Sequence, residues 1–457
     1  MIRTLDTPDT PLPRIAILGR VPYTTMVSGA GSGMSRFGDI VINRWRNDGT
    51  RDDFGQWCYL KDVRTGKTWS AGHQPVCAES LSYLVEMTVG KVTIRRRDGG
   101  FETVTEIVVV PETGAECRRV SVSNLSDTDA EVELTSYQEV VLASHVSDRG
   151  HRAFGNLFVQ TEWLPGDGSI LAMRRPRSKK NMPAWGGQTI AVRGAASGII
   201  TCETDRARFI GRGRAARNPV VMDNPGELSG TVGAVLDPVL ALRTTVSVAA
   251  GGLAQVIFTT FVAADRDEAT RLAARFHDYS NAEAAFELSD EEAERELGEL
   301  NVTAAEAAMY QDLAGVLLYG SRAAGSVVAD GRGEPGRADL LAMGIAGDHP
   351  IVLAALKSAD DMSEVSKLLR LHRYWREKGI AADLVILCGD GNGVERMAID
   401  VTALVTATGD SPLRDEEGGV FVRRRDLLSS REIAVLGATA RLRMECGVQS
   451  LDELANV

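Results

Sequence analysis

Histidine is scarce in this chain, with 6 in 457 residues, and the 6 cysteines stand singly at Cys58, Cys77, Cys117, Cys202, Cys388 and Cys446. None falls in a CxxC or CxxxH pair, so no half-site for a metal exists, and no EF-hand spacing appears. Cysteines spaced this way read as small buried hydrophobes. The pattern calls for no metal and no cofactor. No apolar run approaches eighteen residues, and the opening MIRTLDTPDTPLPR lacks the apolar stretch of a signal peptide. A cytoplasmic protein without direct membrane insertion is expected. Positive charge is also in deficit, 51 Lys and Arg against 62 Asp and Glu for a net −11, which excludes nucleic acid and anionic membrane as partners. Serine nucleophile elbows, HExxH and CxxC redox motifs are absent.

What is present is an ordinary globular composition, 44% apolar and 25% charged, on a chain long enough for two or three domains. From Ile15 to Ala263 the text is strands and turns. Runs such as Thr103 to Val110, Ala130 to Tyr137, Leu240 to Val248 and Gln255 to Val262 are separated by turn signals such as Arg97-Asp98-Gly99-Gly100. With no helical pattern between them, a large antiparallel β-sandwich over residues 1–265 is expected. Its alternation predicts Glu131 and Glu133 outward and Val132 and Leu134 inward.

Helix formers at helical spacing then run over Glu268–Phe276, Asn281–Leu300 and Ala304–Leu318, and Ser321 to Gly336 is rich in glycine and small residues. Residues 266–336 therefore read as a helical linker and loop. Residues 337–457 alternate strand and helix: Ile351–Leu356, Asp360–Lys378, Leu384–Leu387, Gly393–Thr408, Val420–Arg423 and a final helix Ser429–Met444. Three β-then-α units predict a small parallel α/β domain. The fold class is thus multidomain, β plus α/β.

The densest chemistry lies between Arg36 and Trp69, with Arg36, Arg44, Trp45, Asp48, Arg51, Asp52 and Trp57 among its members. Asp and Arg bind sugar hydroxyls in pairs, and an indole takes the apolar face of the ring. The Gly/Ser run Ser28 to Gly33 before it reads as a mobile loop able to reach across a cleft. The same tryptophans equally suit a sandwich core, with the Arg/Asp pairs tying loops together. A second basic run, containing Arg208, Arg212 and Arg214, offers guanidinium forks to an anion, or a loop held by carboxylates. Gly389-Asp390-Gly391-Asn392-Gly393 sits where a phosphate loop would, between strand and helix, and equally suits a plain βα turn.

The blocks Gly29 to Phe37, Val41 to Asp48, Thr50 to Gly55 and Tyr59 to Pro75 resemble the sandwich signature of glycoside hydrolase family 94, formerly glycosyltransferase family 36. The likeness is nearest the large C-terminal part of cyclic β-1,2-glucan synthases. It continues through Glu203 to Phe209, Thr231 to Pro238, Gly344 to Leu353 and His372 to Leu387. Met34 and Phe37 stand where the family usually has Tyr and Trp. The resemblance implies a supersandwich whose Gly-Ser loop, here Gly31, Ser32, Gly33, Ser35 and Arg36, lies near a catalytic pocket, sometimes a neighbouring subunit's. It also implies an aspartate general acid on an α/α barrel, and no segment here matches that barrel's motif, so no catalytic residue is assigned.

Three readings are open. One is an accessory domain that binds a glucan or oligosaccharide, or complements a barrel polypeptide, as a homodimer or beside a membrane-bound glucan synthase. The second is an active glycosyltransferase or phosphorylase on β-glucans. The third is a structural remnant without ligand.

Overall fold

The computed structural model describes residues 2–111, 113–176, 184–224, 226–320, 336–389, 393–409 and 411–455. The glycine run at 389–393 and the loop at 321–336 therefore lie largely outside the described residues. Two compact units divide the chain, Met1–Glu296 and Leu297–Val457.

The first unit is the antiparallel sandwich that the turn spacing predicts. Among the described residues, its nine-stranded sheet runs Arg3–Leu5, Ser82–Met87, Val92–Asp98, Phe101–Val110, Ala115–Asn124, Leu253–Ala263, Ala184–Arg193, Ser169–Arg174 and Val159–Leu164. The ten-stranded partner is built around the long strand Ala130–Ser144. That strand pairs with Pro238–Val248 on one side and with Gln56–Asp62 and then Ile40–Asn43 on the other. Its register slips between Val140 and Ala143, where buried Leu142 takes φ +49. A bulge of this kind bends the strand and re-aims the residues beyond it.

Alternation explains the strands individually: in Ser82–Met87 the residues Tyr83, Val85 and Met87 face in. Both sheets contribute to one core, with Leu60, Leu134 and Leu242 meeting Val122, Val256 and Phe258. Trp69 is fully buried in it, stacked on Phe101 at 5.5 Å and donating its indole N–H to Thr103 Oγ1 at 3.2 Å. The helices Arg266–His277 and Tyr279–Leu300 come next in the chain, and Ala269, Ala273, Phe276 and Phe286 pack on Val108, Ile257 and Phe261 of the nine-stranded sheet.

Two sequence expectations fail here. Glu133 does not point to solvent: it is buried, 3.4 Å from Arg243, beneath the segment that carries Val221, Met222 and Gly226. Arg243 donates to the carbonyls of Val221 and Gly226, and buried Lys61 donates to that of Met222, so this segment covers the face that alternation assigned to water. The sandwich also contains short helices, His145–Gly150, Arg152–Asn156 and Arg206–Ile210, too short to leave a periodic signature.

The second unit is a small α/β layer with four parallel strands among its described residues, in the order Val420–Arg424, Asp383–Cys388, Ile351–Leu356, Ala440–Glu445. In chain order that is 3-2-1-4. The expected final helix stops at Thr439, and its second half is the fourth strand. Leu442 and Met444 are buried while Arg441 and Glu445 are exposed, the period of a strand. Helix Ala304–Tyr319 opens with a capping box of Thr303 and Glu306, and its Tyr310 carbonyl accepts the indole N–H of Trp375 at 2.8 Å. No described helix is long and apolar enough to cross a membrane.

Replacing Trp69 with alanine removes the central ring of the sandwich core and its one hydrogen bond. The sandwich unfolding transition in urea should lose about 3–5 kcal/mol, the usual cost of truncating a buried large aromatic. A loss below about 1 kcal/mol would mean the ring is not packed as described.

Candidate functional site

The Gly/Ser segment is buried, contrary to the sequence reading of a loop free to reach across a cleft. Gly33 is there because any side chain would collide with the Met26 carbonyl oxygen, 1.8 Å from an ideal Cβ. Gly31 takes φ +89. Ser28 Oγ donates to Asp52 Oδ2 at 2.6 Å and accepts the Ser32 amide at 3.2 Å, while Ser32 Oγ donates to the Asp52 carbonyl. The Gly33 amide donates to the Phe54 carbonyl, and the His73 and Gln74 amides both donate to that of Ala30. These short polar bonds explain the order: the backbone groups the loop would otherwise present to water are satisfied internally. Asp52 at φ +44 and Cys77 at φ +55 are left-handed without being glycine, and both lie in the segments clasping this loop.

Several other predicted site residues prove to be interior. Ser35 is buried, bonded through its hydroxyl to Glu116 and Gln56 and through its amide to Asn43 Oδ1. Trp57 packs with Tyr59, Tyr137 and Phe209, and Trp45, also buried, lies 6.0 Å from the His145 ring. Neither indole offers a face for stacking a sugar; they are core, for the reason that both faces of their strand or turn are covered. Arg36 donates to the Gly38 carbonyl. Asp48 accepts from the Thr50 hydroxyl and amide, which hold its carboxyl below the usual range. Arg51 projects outward, two-thirds exposed, beside Asp53.

Arg44 is the organising group. It is 2% exposed and ion-pairs with Glu139 and with Asp148, and donates to Asn156 Oδ1 at 3.0 Å. Arg46 holds the other oxygen of Asp148 at 2.7 Å. Arg206 reaches Glu139 at 2.6 Å, and Arg152 bridges Glu139 and Asp237. Four arginines thus meet three carboxylates at one end of the sandwich. Burial alone would push Glu139 up, but the guanidiniums of Arg44, Arg152 and Arg206 outweigh it and hold the carboxyl below its ordinary value. Asp148 behaves the same way, with Arg44 and Arg46 as the counterweight. Burial lowers His145, and Arg46 adds to the effect.

Sequence reasoning does not single out Glu139, Asp148, Arg152, Asn156, Arg206 or Asp237, although the resembling blocks at 203–209 and 231–238 contain Arg206 and Asp237. Arg208, Arg212 and Arg214 do not converge: Arg208 lies 3.9 Å from Asp205, Arg214 pairs with Asp223, and Arg212 is exposed. Among the described residues no three His, Cys, Asp or Glu side chains gather as metal ligands would. A groove of about 1000 Å³ lies elsewhere, lined by residues of the 20–23 turn, by Val109, Pro111, Thr113 and Gly114, and by the two helices packed on the nine-stranded sheet. Its floor is apolar, from Tyr23, Phe37 and Val109, and its rim carries both signs of charge. None of the predicted site residues lines it; Phe37, next to Arg36 in the chain, comes nearest.

The family model for the glycosyl hydrolase 94 supersandwich domain matches residues 1–279. The chain belongs to the glycosyl hydrolase 94 supersandwich family. Cyclic beta-(1,2)-glucan synthase NdvB of Rhizobium meliloti (strain 1021) is 29% identical over 389 residues, covering 84% of this chain and 14% of the synthase. N,N'-diacetylchitobiose phosphorylase of Vibrio furnissii is 24% identical over 284 residues, 61% of this chain and 34% of that enzyme. The chain therefore spans a minor part of the length of these relatives. Among solved structures, a bacterial glucoamylase complexed with acarbose aligns over 70% of this chain and 44% of its own, at 9% identity and TM-score 0.39. The blocks that carry the resemblance are, in this supersandwich, the loop around Asp52 and the arms of the Arg44 cluster.

The depressed acids of that cluster fix a pH dependence. Folded values below the unfolded ones contribute stability that is full above about pH 4.5 and is lost as pH falls through the folded values of Glu139 and Asp148. Arg44→Met should cost up to about 3–5 kcal/mol, because Glu139 and Asp148 lose the buried partner they share and keep only Arg152, Arg206 and Arg46 at the more open side. It should also raise the pH at which acid unfolding begins, read by circular dichroism. An unchanged acid midpoint would show that Arg44 does not hold these carboxylates.

Proposed function

We propose that this supersandwich binds β-glucan chains and positions them for a catalytic domain without itself transferring sugar. The observation that carries this reading is the state of the carboxylates. A general acid must hold its proton near neutral pH, whereas Glu139 and Asp148 are clamped by arginines as carboxylates. Groups held this way orient neighbours and accept hydrogen bonds. The activities of the relatives, a cyclic β-1,2-glucan synthase and a disaccharide phosphorylase, supply the substrate class. The segment from Arg46 to Asp53 supplies the outward-facing polar groups, with exposed Arg51 the most available donor. A catalytic barrel, on the same polypeptide or another, is the partner this role requires.

Calorimetric titration with β-1,2-linked gluco-oligosaccharides tests the reading. Saturable binding is expected, weakened about threefold to tenfold in Arg51→Ala, the net worth of one ordinary hydrogen bond at an exposed site, with no change in melting temperature. Absence of binding would sink it. Release of phosphate from glucose 1-phosphate by the pure chain with a disaccharide acceptor would replace it with the enzyme reading.

A further inference from the structure

The groove of about 1000 Å³ between the 20–23 turn and the helices Arg266–His277 and Tyr279–Leu300 contains neither Arg44 nor Arg51. Its size suits a small molecule, for which about 300–1,000 Å³ is usual. The carbon surface it offers is open to solvent. Val21 and Pro22 are exposed, and Phe37, Val109 and Leu272 are half-buried. Close backbone packing sets the walls in advance. Gly114, at φ +57, lies so near the Phe37 ring that a Cβ would stand 3.2 Å from Cε2. Gly90 approaches the longer helix so closely that a Cβ would collide with the Ser289 carbonyl oxygen. The shorter helix is capped by Asp265, which accepts the Glu268 amide at 2.8 Å, and Ala269, Ala273 and Phe276 anchor it on the sheet.

Charge on the rim is unbalanced. Four arginines, Arg20, Arg271, Arg275 and Arg295, line the groove against three acids, Glu268, Glu292 and Glu296, so positive charge is in excess on a chain of net −11. The acids are committed to the fold. Glu268 accepts the Ala264 amide at 2.7 Å, Glu292 holds Arg295 through both oxygens, and Glu296 is buried. Arg271 and Arg275 are different. Both are exposed, they stand about one turn apart on the same helix, and neither has a carboxylate partner among the described residues. Arg275 rests over the Phe276 ring at 5.0 Å, a contact that leaves its N–H donors unclaimed.

We propose that this groove binds an amphipathic anion, an alkyl chain that ends in a carboxylate or a phosphate. The chain lies on Val21, Phe37, Val109 and Leu272, where its methylenes leave water. The head group accepts from Arg271 and Arg275, whose planar forks match paired oxygens on either anion. A neutral pyranose fits less well, because the floor presents carbon where the ring presents hydroxyls. The site is separate from the glucan face at Arg51, so either can fail without the other.

Calorimetric titration of the full chain with octanoate and with octyl phosphate, each below its micelle-forming concentration, tests the assignment. Neutral 1-octanol and inorganic phosphate serve as the two half-ligands. One saturable site is expected for at least one amphiphile, with each half-ligand about tenfold weaker or more, and the tighter amphiphile identifies the head group. Arg271→Gln and Arg275→Gln should each weaken that binding about threefold, the scale of an exposed ion pair, and about tenfold together, at unchanged melting temperature. Val21→Asp, which puts a like charge on the exposed floor, should weaken it too. Octanol or inorganic phosphate binding as tightly as the amphiphiles overturns the site, as does amphiphile binding that the double arginine variant leaves unchanged. No binding of either amphiphile overturns it as well.

Discussion

Burying a guanidinium requires that its donors be matched, and the pairing of Arg44 with Glu139 and Asp148 sets much of the surrounding architecture. Arg44 comes directly after the short strand Ile40–Asn43, Glu139 sits in the longest strand of the sandwich, and Asp148 lies on the helix at the end of that strand. Bringing these together needs the bulge at Val140–Ala143, because a regular strand would carry Ser144 onward instead of turning it into a helix N-cap. Leu142 accepts a left-handed backbone there, which a buried leucine does only where its surroundings over-determine it. Strain in the backbone and compensation in the ion pairs are two sides of one arrangement.

The same arrangement bears on what the face can do. Acids that arginines hold ionised are poor proton donors and good anchors, so chemistry at this end of the molecule depends on a group from outside the cluster. The family relationship and the clamped carboxylates are compatible because fold and activity are separate properties: a supersandwich supplies surface and rigidity, and the reaction belongs to whichever site is mounted on it.

Much of the fold is legible in the sequence because half-solvated strands such as Phe101–Val110 advertise themselves by alternation. The strand Gln56–Asp62 shows why side-chain roles are less so. All seven of its residues are buried, since Cys58 and Leu60 enter the inter-sheet core while Trp57 and Tyr59 enter a second cluster with Phe209 and Met222. With both faces covered, nothing local reveals that Trp57 is unavailable to a ligand. Arg44 stands out for its neighbours in sequence, yet its partners lie 95 and 104 residues away, beyond the reach of any spacing rule. Glu133 misleads for a related reason: it is covered by a segment about 90 residues later that includes Val221 and Gly226, and a strand's alternation cannot announce a lid supplied so much later.

The 3-2-1-4 strand order of the smaller unit reaches into biosynthesis. Ile351–Leu356 sits between Asp383–Cys388 and the late strand Ala440–Glu445, so one whole flank of the first strand stays unsatisfied until that fourth strand has left the ribosome. During that interval an apolar strand, with Ile351, Val352, Leu353 and Leu356 all destined for burial, has an open edge to any other nascent chain nearby. A chain truncated before Ala440 would keep that edge permanently, which makes the fourth strand a chaperoning element for the first.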